Sequence, residues 1–201
     1  MKMLKIGIFG GSFNPPHNGH INIAVQAKEH LSLDKMLIMP TKTSPHKGTS
    51  AVGFNSREYM CRLAFEGLSG FEVTDIENKL TGKSYTINSL HLLKGIYPKN
   101  TEFYLLIGAD MLFHFDRWNS YETILNECHV IAAAREPGQF TNMYEYATEI
   151  GKIKVLNLEV KQVSSSEVRE KISKDQDVSE LVPQKVFNYI KQKRFYSLNE
   201  G

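Results

Sequence analysis

The chain has 201 residues, 41% of them hydrophobic and 23% charged, with a formal net charge of +2. That length leads one to expect a single domain around one sizeable core. Lysine and arginine are scattered, so no broad electrostatic footprint for nucleic acid or a membrane surface is visible, and no apolar run approaches the roughly 20 residues of a membrane helix. Cys61 and Cys128 lie far apart in apolar surroundings and form no CxxC pair, which fits structural thiols of a reduced cytosol. The first five residues run straight into a short β-type segment without a signal-peptide apolar region, so a cytoplasmic location is expected.

In chain order, residues 5–9 read as a first strand, ended by Gly10-Gly11. Residues 20–31 read as a helix, with Ile21, Ala24, Val25 and Lys28 at helical spacing. A second strand over 36–39 stops at Pro40, and a helix follows over 56–68. The third strand is placed at 71–75, a helix at 86–95, the fourth strand at 103–107 and the fifth at 130–134, with a sixth at 155–158. Helices over 166–173 and 183–192 complete the series. Alternation of this kind predicts an α/β fold, a Rossmann-like parallel sheet with helices on both faces. Ligands of such sheets bind beyond the carboxyl ends of the strands. Residues 40–55 form the longest polar, breaker-rich segment, and a loop of that length is expected to be functional or mobile.

The first strand opens into GGSFNPPHNGH, residues 10–20. Paired glycines let the backbone approach a ligand closely, and the next helix presents unpaired N–H groups and a positive dipole end to an anion. His17 and His20 are three residues apart and share a face at a helix start. A plain tight turn with a surface histidine pair, or half of a metal site, is equally compatible with this stretch alone. The dinucleotide and Walker glycine patterns are not met, and no further zinc ligands stand nearby.

GGSFNPPHNGH resembles the HxGH signature of the nucleotidyltransferase superfamily, and from Gly7 to about Arg169 the chain is similar to bacterial nicotinate mononucleotide adenylyltransferases. Asn14 stands where many relatives carry Asp, so no catalytic role rests on it. Val163-Ser164-Ser165-Ser166-Glu167-Val168-Arg169 resembles the family's second signature; Ser164 and Glu167 also fit a capping box. The resemblance implies a catalytic set of His17, His20, Lys47 and Arg169. It implies ATP contacts from Gly10, Gly11, Ser12, Phe13, Gly108, Asp110, Arg135, Ser165 and Ser166. Asp110 would hold ribose hydroxyls and could also cap the next helix. Lys47, Thr86 and Trp118 would serve the acceptor, although a lone tryptophan is also a common core residue.

The reaction so implied joins the adenylyl part of ATP to nicotinate mononucleotide, releasing pyrophosphate. A phosphate monoester has a second pKa of about 6, so the acceptor needs no general base. Mg²⁺ is expected, held mainly by substrate phosphates, since no carboxylate cluster is evident. ATP and nicotinate mononucleotide are the partners implied, with no nucleic acid and no membrane, and a homo-oligomer stays open. A phosphopantetheine adenylyltransferase is the nearest alternative, disfavoured by chain length, Thr86 and Trp118. A cytidylyltransferase is more distant. A non-catalytic nucleotide-binding regulator is the alternative from another class.

Overall fold

The computed structural model describes residues 3–42, 52–81, 84–135, 138–159 and 162–197. Lys47, and His46 beside it, lie outside the described residues. Six strands, β1 (Lys5–Gly11), β2 (Lys35–Pro40), β3 (Phe71–Val73), β4 (Glu102–Gly108), β5 (His129–Ala134) and β6 (Ile153–Asn157), form one sheet. Every pairing is parallel and the order is β3-β2-β1-β4-β5-β6. Strand order reverses between β1 and β4, where Ile8 lies opposite both Leu37 of β2 and Leu105 of β4.

Parallel strands are covered on both faces and therefore read as continuous apolar runs. Met36-Leu37-Ile38-Met39 shows the consequence: Met36 and Ile38 enter one core, Leu37 and Met39 the other. The first core takes its helical side from α1 (Asn18–His30), α2 (Phe54–Phe65) and α8 (Gln184–Lys193). The second takes it from α3 (Thr86–Ile96), α4 (Ala109–Leu112), α5 (Tyr121–Glu127) and α6 (Gln139–Ile150). Each helix does this through a short buried stripe, such as Ile23, Ala24 and Ala27 in α1 or Val186 and Ile190 in α8. At Gly7 in β1 an added Cβ would lie 2.6 Å from Met36 Sδ and 2.7 Å from Leu33 Cδ1, so glycine is what lets these side chains close over the strand.

The helix α7 (Ser165–Ser173) buries Val168 in a small separate cluster with Val163, Val178 and Val182. Several hydrogen bonds, two of them near the start of α1, fasten this C-terminal part to the turn after β1. Ser165 Oγ donates to Pro15 O at 2.9 Å, and Asn18 N donates to Leu181 O at 2.8 Å.

The expected strand–helix series is present, with ends displaced by a few residues. Helices α4, α5 and α6 lie between the expected segments. Helix α6 begins after Gly138 in the left-handed region, without a side-chain cap, and is rich in aromatic and β-branched residues. Intrinsic helix signals are weak in such a stretch, and it folds as helix because Met143 and Ala147 pack into the sheet's second core.

Candidate active site

A cavity of about 770 Å³ opens at the carboxyl ends of β1, β4 and β5. Gly10, Gly11 and Ser12 form its floor, with Phe13 packed beneath. Phe13 is buried and adopts a left-handed φ of 45°. Its ring meets His20 edge-on at 4.9 Å and Phe9 at 5.6 Å. Phe13 therefore reaches the cavity from behind and braces His20.

His17 is the N-cap of α1, and His20 is the third residue of that helix. Their Nδ1 atoms cap the helix reciprocally. His17 Nδ1 accepts from the His20 backbone N–H, and His20 Nδ1 accepts from the His17 N–H, each at 3.3 Å. The rings stack with centroids 3.6 Å apart. An accepting Nδ1 carries no proton, so each neutral ring keeps its hydrogen on Nε2 as its one donor. Burial, with the nearby Arg135 charge adding to it, lowers the His17 pKa from 6.5 to about 4. Burial first, then the neighbouring His17 and Arg135, holds His20 well below the usual range as well. Both side chains are thus fixed as neutral Nε2–H donors at neutral pH.

The second signature reaches the same cavity from α7. Arg169 donates from Nη1 to Asn14 O at 2.8 Å and from Nη2 to Ser166 Oγ at 3.1 Å. Asn14 in turn accepts at Oδ1 from the Tyr196 hydroxyl at 2.6 Å. The expected Ser164–Glu167 capping box is realised only in half. Ser164 Oγ accepts from Glu167 N at 3.1 Å, whereas the Glu167 carboxylate turns along the helix to Lys171 at 3.8 Å.

Asp110 is also corrected in part. It lies inside the first turn of α4, whose N-cap is Gly108 and which has no side-chain cap, so Asp110 caps nothing. Its Oδ1 stands 4.0 Å from Arg135 Nη2. A Cβ on Gly108 would lie 2.9 Å from that carboxylate oxygen and 3.3 Å from Arg135 Nη2, so the bare glycine keeps this corner of the cavity open.

Arg57 lines the cavity too, and the sequence reading passed over it. It shares a helix face with Met60, Cys61 and Ala64. A charged residue at the start of such an apolar stripe was the available signal. Among the described lining residues, Lys42, Arg57, Arg135 and Arg169 face one carboxylate, Asp110. The lining is suited to a polyanion. Among the described residues no three His, Cys, Asp or Glu side chains gather as a metal cluster.

A second, smaller cavity of about 110 Å³ adjoins the first; Gly10, Thr41, Ile107 and Met111 line both. Thr86 and Trp118 come together here with Ser84, Tyr85 and Arg117. Trp118 is half-buried, packed on Phe115 with ring centroids 5.1 Å apart, so it is neither pure core nor free surface. Thr86 begins α3, which has no side-chain cap. Glu77, 4% exposed, also lines the cavity and accepts from Lys42 N at 2.9 Å. Burial raises its pKa, with bonds from Ser84 and Lys42 opposing.

A doubly wound parallel sheet with a cation-rich cleft at its switch point, floored by glycines and flanked by two neutral histidines, defines a nucleotide-binding α/β protein of the phosphate-handling kind. Residues 8–171 match the family model described as cytidylyltransferase-like. A Clostridium tetani protein described as "Probable nicotinate-nucleotide adenylyltransferase" is 35% identical over 201 residues, covering 96% of this chain and 100% of its own length. A Bacillus licheniformis protein with the same description is 35% identical over 195 residues, covering 96% and 99%. The solved Plasmodium falciparum nicotinic acid mononucleotide adenylyltransferase complexed with NaAD superimposes with a TM-score of 0.81 at 20% identity, over 96% of this chain and 97% of that one, a likeness of fold. The chain belongs to the cytidylyltransferase-like family of nucleotidyltransferases and, within it, to the nicotinate-nucleotide adenylyltransferases.

Proposed function

We propose that this chain, as a single nucleotidyltransferase domain, transfers the adenylyl group of ATP to nicotinate mononucleotide, giving deamido-NAD and pyrophosphate in the cytoplasm. The observation that carries this reading is the junction of the two cavities. One is lined by cations and takes a polyphosphate; the other is small, bounded by Thr86 and Trp118, and opens at the start of α3. An acceptor spanning both would bring its phosphate to Gly10 and Thr41, where they meet.

The acceptor phosphate attacks the α-phosphorus in line, the bond to the β-phosphate oxygen breaks, and pyrophosphate leaves. No side chain need take a proton. The Nε2–H donors of His17 and His20 stabilise charge developing on the α-phosphate. Arg169 and Lys47 would take the departing pyrophosphate, Arg169 with Ser165 and Ser166 at the start of α7, and Asp110 with Arg135 would hold the adenosine ribose. Mg²⁺ prefers six oxygen ligands. The described lining offers one carboxylate, beside an arginine, so phosphate oxygens and water would supply most of the shell and the ion would neutralise phosphate charge.

The start of α3 favours an acid over an amide substituent on the pyridine ring, because its unpaired N–H groups and dipole attract a carboxylate. Arg117 adds a cation at the same cavity. Hydrogen bonds to a charged group contribute about 1.5–3 kcal/mol each, so two give roughly 10²- to 10⁴-fold selectivity. Pyrophosphate release is measured with ATP and, in turn, nicotinate mononucleotide, its amide and phosphopantetheine. The highest kcat/KM is expected for nicotinate mononucleotide. Equal values for acid and amide would make the chain a dual-specificity enzyme, and no release with any of them would overturn the reading.

A further inference from the structure

Arg57 sits in the first turn of α2 and is only 3% exposed. Its guanidinium is occupied by backbone carbonyls. Nη1 donates to Ser12 O at 2.7 Å, Nη2 to Thr41 O at 2.7 Å, and Nε to Val52 O at 3.2 Å. Among the described residues no carboxylate lies within ion-pair distance. Glu77, whose charge bears on Arg57, accepts from Lys42 N at 2.9 Å. The three carbonyls belong to three separate pieces of wall. Ser12 is in the phosphate turn, Thr41 leaves β2 at the ligand edge and borders both cavities, and Val52 leads into α2.

We infer that Arg57 is a positioning residue for adenylyl transfer, holding the β1 turn and the β2 exit at fixed separation by a three-way carbonyl clamp while keeping its charge against the phosphate cavity. This rests on the function proposed above. A buried cation hydrogen-bonded to carbonyls, with the Phe54 ring 5.8 Å from its guanidinium and no carboxylate at ion-pair distance among the described residues, is a costly brace, and an apolar side chain would fill the same space more cheaply. A planar fork binds three carbonyls in different directions at once, whereas an ammonium is a point charge on a flexible stem. Thr41 N already donates to Gly11 O at 2.9 Å; the guanidinium adds the link from this junction to Ser12 O and Val52 O, and a wall preorganised in this way spares the cost of ordering it when ATP binds.

The test uses the whole chain as Arg57→Lys and Arg57→Met, with α,β-methylene-ATP titrated calorimetrically and steady-state rates measured alongside. For both variants the expected stoichiometry stays near that of the wild type. Kd for the analogue rises about tenfold or more, and kcat/KM for ATP falls about 10²-fold. Lysine should rescue no more than a few-fold. Wild-type kcat/KM in Arg57→Lys would overturn the inference, because charge alone would then suffice. Falling stoichiometry with an unchanged Kd would also overturn it, because Arg57 would then serve folding only. Should the methionine variant not fold, the lysine variant, which keeps charge and stem, decides. The titration needs no acceptor, so it stands even if the wild type releases no pyrophosphate with any acceptor.

Discussion

At the scale of the residue, the two histidines bind their own helix with one nitrogen and leave the other for a ligand. A protonated ring would place hydrogen on Nδ1 and break the cap it makes, so local stability requires the same neutral form that the proposed donor role uses. His20→Ala is expected to reduce kcat by roughly 10²–10³, the usual cost of removing a donor aimed at developing charge, while Kd for an ATP analogue changes little. A variant within a few-fold of wild type would show that His20 only caps. The same geometry sets a pH dependence. His17 titrates near 6.5 when unfolded and at about 4 when folded. Between those values the unfolded chain holds a proton that the folded chain lacks. The His17 contribution is therefore complete above about pH 6.5, is lost as pH falls towards 4, and levels off below. It amounts to on the order of 3 kcal/mol. The urea midpoint of the wild type should fall further than that of His17→Asn, which keeps a good cap without a titrating group, as pH drops from 7 to 4.5. Parallel curves would sink the argument.

At the scale of the element, the helix starts that border the two cavities differ in how they are closed. Helix α1 is capped by histidines, α7 by Ser164, and α3 by no side chain at all. Ser164→Ala removes one acceptor and should cost about 1 kcal/mol, a fall of roughly 2–4 °C in Tm for a chain of this size. A scanning-calorimetry midpoint unchanged from wild type would mean that the cap bond is already replaced by water. The serine-rich turn was legible in the sequence because capping chemistry is local. The return bond from Glu167 was not, because whether a carboxylate folds back to the N-cap or forward to Lys171 depends on what surrounds the helix. Asp110 failed as a cap for a related reason. The chain enters helix two residues earlier than its position suggested, as Ala109 packs into the second core.

At the scale of the whole molecule, what sequence alone determined is what short-range chemistry encodes. Continuous apolar runs such as Met36–Met39 specify buried parallel strands, the turn residues Gly10 and Gly11 specify a close phosphate approach, and the spacing of His17 and His20 specifies a shared helix face. From these the sheet and its ligand edge followed, while lining residues such as Asp110, Arg135 and Arg169 were named through the family resemblance. Tertiary structure alone decided how distant pieces lock together. Ser165 reaches Pro15 across 150 residues, Arg169 reaches Asn14 across 155, and Tyr196 reaches Asn14 across 182. Arg57 gathers Ser12, Thr41 and Val52. In all but the Tyr196 bond the acceptor is a backbone carbonyl. Every residue carries one, so no side-chain pattern marks which carbonyl will be used, and only the packed sheet, by fixing where each turn ends, selects it.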